Sequence, residues 1–342
     1  MIRYDVRDSF QFAGLEVPAG SELTVPLELP RLYDRSEVSM PVRILHGEEP
    51  GPTLLLCATV HGDEVNGMEI IYRLLRKLSA KDIRGTVLAV PIVNAYGLVT
   101  ATRYLPDGRD LNRTFPGSKT GSLTARLAHV LVSELLSRAT HVIDLHTGGM
   151  HRSNFPQIRA TLSLTETLQF AGTFHPPVIL DAPARAGSFR QAADKRGIPS
   201  LVYETGEALR FDEAGIDFGI QGVLSAMNGI GMLIQALPHT TDRKPTVFAR
   251  GSRWLRAPAS GVFRSQCQLG DLVAARANLG SVSDPLGDSR FKVKSSHSGI
   301  VIGRNNMPLV HQGDPLLHIA EVSNLADAES AVERVSPPVT HV

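Results

Sequence analysis

The run Thr53-Leu54-Leu55-Leu56-Cys57-Ala58-Thr59-Val60 is apolar almost without interruption, bounded by Gly51-Pro52 on one side and His61-Gly62-Asp63 on the other. A strand of that kind has no polar face to give to water, so it belongs inside a sheet covered on both sides. The next residues agree. Met68, Ile71, Leu74, Leu75 and Leu78 recur at three-to-four spacing while Arg73, Arg76 and Lys77 fall elsewhere, which predicts an amphipathic helix over 64–79. A second buried strand over 86–93, a long polar loop to about 121, and strands over 141–145 and 200–203 alternate with helices predicted over 123–138, 189–196 and 213–236. This alternation specifies an α/β fold with a mixed, largely parallel central sheet flanked by helices, and with loops gathered at strand ends. Gly229-Ile230-Gly231 lies inside the last helical stretch, away from any strand-to-helix turn, and reads as helix packing rather than a nucleotide loop.

At 342 residues a single core is crowded, and the pattern shifts twice along the chain. Residues 1–45 are proline-punctuated, short and alternating, a β-rich segment expected to pack on a domain spanning 46–244. From 245 to 322 the apolar pieces are short, separated by Gly, Pro, Ser and Asp, and lack a helical period, which predicts a small all-β barrel or sandwich domain. Its two halves echo each other, Ser260-Gly261-Val262 before Gly270-Asp271 and Ser298-Gly299-Ile300 before Gly313-Asp314. That resembles the barrel of biotinyl and lipoyl carrier domains. The hairpin tip that would carry their modified lysine falls near 284–288, where there is none. Residues 323–342 read as a polar tail.

Thirty-five Lys and Arg balance 34 Asp and Glu, so no global field favours nucleic acid or an anionic membrane. The opening residues lack a signal-peptide core, and no run of about 18 apolar residues occurs, so a cytoplasmic protein is expected. Cys57 and Cys267 alone supply neither a disulfide framework nor a thiolate zinc site. Any metal must be held by His and carboxylates.

His61-Gly62-Asp63-Glu64 stands where a buried strand turns into a helix, so His61 and Glu64 can aim at one point. His146, in Asp144-Leu145-His146-Thr147-Gly148, closes another buried strand and supplies a third ligand. His, Glu and His make a catalytic zinc site with one position left to water, whose pKa such a zinc lowers toward about 7. Manganese or cobalt stay open as alternatives.

These motifs, with Asp110-Leu111-Asn112-Arg113 and Glu204-Thr205-Gly206 in order after them, resemble the succinylglutamate desuccinylase/aspartoacylase branch of the zinc carboxypeptidase-like superfamily. The resemblance covers about residues 46–237. It implies one zinc on His61, Glu64 and His146, with Asp110 behind His61 to fix its tautomer. It implies that Asn112 and Arg113 grip a substrate carboxylate, that Arg103 polarises the scissile carbonyl, and that Glu204 is the general base. Arg109 competes with Arg103, and Glu207 is a weaker rival to Glu204. Arg190 and Arg159 are candidates for a second substrate carboxylate, and His151 for a second metal. The implied protein is a zinc-dependent deacylase of an N-acyl amino acid or similar small amide, acting on a small carboxylate-bearing molecule, with no nucleic-acid or membrane partner. A homo-oligomer is compatible with this reading. A metallocarboxypeptidase and a non-catalytic metal- or carboxylate-binding module are the alternatives.

Overall fold

The apolar run at 53–60 is indeed central. In a computed structural model, which describes residues 7–237, 245–322 and 325–332, four strands lie parallel in the order Arg84–Val90, Glu49–Ala58, His141–Gly148 and Ser200–Glu207. Outside them the pairing turns antiparallel. Val38–His46 and Ser21–Leu29 extend one side, while Arg152–Ala160, Gly299–Asn305, Pro315–Glu321 and Ser252–Arg256 extend the other. The sheet is mixed, but "largely parallel" needs correcting: parallel pairing is confined to this centre and a short branch through Val178–Asp181 and Val247–Ala249. The cause lies in the wings, where outer strands such as Ser21–Leu29 alternate exposed residues with buried Val25, Leu27 and Leu29, a pattern that antiparallel strands tolerate.

Both faces of the centre are covered. Helices Asn66–Leu75, Thr165–Phe174 and Glu213–Gly229 bury Ile70, Phe174 and Ile216 on one face, and the helical stretch from Leu123 to Arg138 together with Phe189–Asp194 buries Leu127, Leu131 and Phe189 on the other. The first helix sits so close that a Cβ on Gly67 would come within 2.6 Å of Leu145 Cβ and 2.7 Å of Ala58 Cβ. Even Gly67→Ala is therefore expected to cost about 1–3 kcal/mol by overpacking, read as a lower urea midpoint. An unchanged midpoint would mean that helix and sheet have room to part.

Several elements differ from the sequence expectation. The helix begun at Glu213 ends at Gly229, because Gly231 takes φ +74° and the chain folds back to bridge Leu233 with Ile83. Strand Arg152–Ala160 and helix Thr165–Phe174 had no sequence counterpart. The polar stretch at 323–342 lies mostly outside the described residues, yet Leu325–Val332 is helical with Ala328 and Ala331 buried.

In the last third, Arg290–Lys294, Asn278–Ser283, Gly261–Ser265 and Leu309–Val310 form a second, four-stranded sheet. It shares a core of Phe263, Val282, Val293, Leu317 and Ile319 with strands of the main sheet. The junction is continuous, since Gly303 pairs with Asn154 across the two segments. The turn after Ser283 is tied by Asp284, whose carboxylate accepts from the backbone of Leu286, Gly287 and Ser289. No helix among the described residues is long and apolar enough to cross a membrane.

Candidate active site

Where the central strand ends, Thr59 adopts φ +56° and its hydroxyl donates to Pro91 O at 3.0 Å, turning the chain so that His61 faces the strand ends. Gly62 is required there, because a Cβ would lie 2.0 Å from the carbonyl carbon of Gly97. Glu64 N closes the turn on His61 O at 3.1 Å. His146 reaches the same point from the parallel neighbour, in register with Glu204 on the next strand.

The three side chains meet as the spacing predicts. Glu64 accepts from His61 Nδ1 at 2.7 Å and from His146 Nδ1 at 2.8 Å, with all three residues buried. Its oxygens also accept from Thr147 N at 3.1 Å and Arg103 Nη1 at 3.3 Å. The far nitrogens of both imidazoles face carboxylates: His146 Nε2 lies 2.7 Å from Asp144 Oδ2, and His61 Nε2 lies 3.3 Å from Asp110 Oδ1. Burial alone would raise the Glu64 carboxyl, but the facing His61 and His146 outweigh it and hold it well below the usual range. Burial opposes charge on His146 as well, and Asp144 and Glu64 overcome it, pushing that imidazole well up.

Candidate ligand atoms on His61, Glu64 and His146 all lie within 4.8 Å of one another. Both Nδ1 atoms point inward because carboxylates occupy the space behind each Nε2, which is how metal-binding histidines are oriented. The set fits a divalent cation of the zinc kind in donor type, number and burial. Asp144 was not singled out by sequence reading, although its place two residues before His146 on one strand puts both side chains on one face.

Arg103, Asn112, Arg113, Arg190 and Glu204 line the same cleft of about 410 Å³. Arg103 lies against Asp110 through Nε at 3.1 Å and Nη2 at 2.9 Å. Arg109 instead projects into solvent 4.0 Å from Asp107 and does not line the cleft. Asn112 Oδ1 accepts from Phe189 N at 2.9 Å, so its amide nitrogen is left for a ligand. Glu204 is fixed by Asn154 Nδ2 at 2.6 Å, with Arg159 Nε 3.7 Å from its other oxygen. Glu207 is turned away and held by Asn306 Nδ2 at 2.9 Å. His151 is exposed on a turn outside the cleft.

Residues 50–230 match the sequence model of the succinylglutamate desuccinylase/aspartoacylase catalytic domain. The chain belongs to the succinylglutamate desuccinylase/aspartoacylase family. It is 28% identical over 322 residues, 86% of this chain and 90% of the relative, to the N-α-acetyl-L-2,4-diaminobutyric acid deacetylase of Halomonas elongata. Among solved structures, the succinylglutamate desuccinylase/aspartoacylase of Rhodobacter sphaeroides superposes with a TM-score of 0.80 at 27% identity, covering 94% of this chain and 98% of that one. The product-bound ectoine utilization protein EutE of Ruegeria pomeroyi shares the fold, with a TM-score of 0.80 at 24% identity over 94% of this chain and 97% of that one.

The match to the succinylglutamate desuccinylase/aspartoacylase catalytic domain stops at residue 230, but the cleft does not. Ser252, Trp254 and His318 close one wall from the last third of the chain. Trp254 stacks on the His318 ring at 4.6 Å and 9°, and the Arg152 guanidinium sits 5.5 Å over the indole. Burial, with Arg159 and Arg185 nearby, pushes the His318 imidazole down to about 3, so it is neutral at pH 7. No local motif marks these residues. They reach the cleft only through long-range strand pairing.

Proposed function

We propose that this chain is a zinc-dependent deacylase that hydrolyses the linear amide of a small N-acyl amino acid, on a zinc carboxypeptidase-like fold whose last third is a β domain narrowing the entrance. The observation that carries the reading is the convergence of His61, Glu64 and His146 beside Glu204, which lies one strand away in register with His146. The deacetylase name of the Halomonas relative supports it.

When bound, the zinc supplies Lewis acidity to the carbonyl and makes water a nucleophile near neutral pH. The protein does the rest. Glu204 Oε1, the oxygen not held by Asn154, takes the proton of the attacking water and delivers it to the leaving nitrogen. Arg103 is held by Asp110 and Glu64 with its charge toward the cleft, where it stabilises the oxygen that becomes negative, a contribution worth about 3–4 kcal/mol. Asn112 Nδ2 and the Arg113 fork hold a substrate carboxylate, and Arg190 faces a second one. Placing the amide by two charged contacts removes the entropy of a bimolecular encounter.

The test is zinc content followed by a panel of N-acetyl amino acids, N-succinyl amino acids, N-α-acetyl-2,4-diaminobutyrate and dipeptides. We expect one zinc per chain, release of free amine from N-acyl amino acids, and no cleavage of dipeptides. One equivalent of bound zinc with every small amide intact would favour a binding module. Cleavage confined to the C-terminal residue of dipeptides would make the protein a carboxypeptidase.

A further inference from the structure

The strand Ser200–Glu207 does not run regularly past Glu204. Toward His141–Gly148 the pairing steps from Glu204 with His146 to Glu207 with Gly148, so one extra residue is let into the strand just beyond the Glu204 carboxylate. Toward Arg152–Ala160 the register shifts at the same place, between Glu204 and Gly206. Gly206 takes φ +66° within this bulge. A bulge beside a site re-aims the neighbouring side chain, and it frees backbone groups that the ladder no longer pairs.

Thr205 O is one such group, and Asn66 Nδ2 donates to it at 3.2 Å. The other end of the same amide, Asn66 Oδ1, accepts from Asp212 N at 3.2 Å. Asn66 is fully buried. It opens the helix Asn66–Leu75, but that helix takes no capping bond from a side chain at its N-terminal cap, and asparagine is a poor helix former, so the residue does little for its own element. Its amide serves two others. The chain beyond the bulge is laid on the His61–Glu64 turn by a further bond, Leu209 N donating to Asp63 O at 2.8 Å, and Thr205 Oγ1 donates to Asp212 Oδ2 at 3.0 Å. The fit leaves no room: a Cβ on Gly206 would lie 2.5 Å from Asn66 Nδ2 and 2.7 Å from Asp212 Cβ. Asn154 holds one oxygen of the Glu204 carboxylate, but the direction in which the backbone presents that side chain is set by the bulge.

We propose that Asn66 is a positioning residue for Glu204. One buried amide, two residues beyond Glu64, pins the bulge behind the base and so fixes where the Glu204 carboxylate stands relative to His61, Glu64 and His146. Asn66 touches neither substrate nor metal; it acts by tying the helix that follows one half of the site to the strand that carries the other. This inference rests on the proposed function for the role of the base but not for the clamp.

Kinetics on the full zinc-loaded chain, with an N-acyl amino acid that the wild type cleaves, and a crystal structure of the variant test it. Asn66→Ala is expected to lower kcat about 10- to 100-fold, with KM changed by less than about threefold and zinc kept at one per chain. Asn66→Ser, a milder truncation too short to reach both partners, should show the same pattern. In a Glu204→Gln background the Asn66 substitution should lower kcat by less than about threefold more, because a base that is gone cannot be misplaced. Leu74→Ala, buried farther along the same helix, should lower the urea midpoint at least as far and leave kcat unchanged. The crystal structure of Asn66→Ala should show the Glu204 carboxylate displaced by about 1 Å or more, with His61, Glu64 and His146 in place. Wild-type kcat in both Asn66 variants, an undiminished loss in the Glu204→Gln background, an equal loss in Leu74→Ala, or a carboxylate that has not moved would overturn the clamp. Were no N-acyl amino acid cleaved, or were Glu204→Gln fully active, the proposed function would fall while the crystal structure still decided the clamp.

Discussion

Glu204→Gln is expected to lower kcat by about 10²- to 10⁴-fold while leaving bound zinc at one per chain. The carboxylate contributes no candidate ligand atom to the metal cluster, and its neighbour Asn154 fixes one oxygen from the adjacent strand. Glutamine keeps the shape and much of the polarity but has no basic oxygen, so the proton of the attacking water has nowhere to go. Metal analysis together with kcat measures both halves of the prediction. A variant that kept a tenth of the activity would move the base elsewhere. Glu207 is poorly placed to replace it, being outside the cleft and bound to Asn306.

Glu64→Ala should have the larger structural effect. Four donors converge on this one carboxylate: two imidazole nitrogens, the Thr147 amide and the Arg103 guanidinium. Removing it deletes a proposed metal ligand and leaves half-buried Arg103 and two buried histidines without their shared partner. Breaking a buried charge network in this way costs about 3–5 kcal/mol. The expected result is no zinc retained after gel filtration, no detectable turnover, and a lower urea midpoint than wild type measured without metal. Zinc affinity equal to that of wild type would remove Glu64 from the ligand set and with it the proposed centre.

How much of this could be read from residues alone depended on where a strand's burial and its chemistry coincide. The strands leading to His61, His146 and Glu204 carry apolar stretches, Leu54–Ala58, Val142–Ile143 and Leu201–Tyr203, shortly before these residues, so the apolar stretches announced the strands and the polar ends announced the site. Arg152–Ala160 has no such pattern. It contains Pro156, and several of its polar residues, among them Arg152, Asn154 and Arg159, point into the cleft, so function overrode periodicity and the strand stayed invisible. Asn154 as the support of Glu204 was invisible for the same reason. Arg103 and Arg109, level in the sequence, are separated by partners: Asp110 and Glu64 draw one inward, and Asp107 leaves the other at the surface. Trp254 and His318 could not be found locally, because only the antiparallel pairing of Ser252–Arg256 with Pro315–Glu321 brings them together.

Strand Arg152–Ala160 is hydrogen-bonded to Ser200–Glu207 on one side and, at Arg152 to Asn154, to Gly299–Asn305 on the other. A chain stopped near residue 245 would thus not be the same enzyme with a wider doorway. It would carry a raw sheet margin beside Glu204, and such a margin adheres to whatever extended peptide it meets. For anyone trimming this protein to a minimal catalyst, the portion that looks like an appendage is the one that cannot be spared.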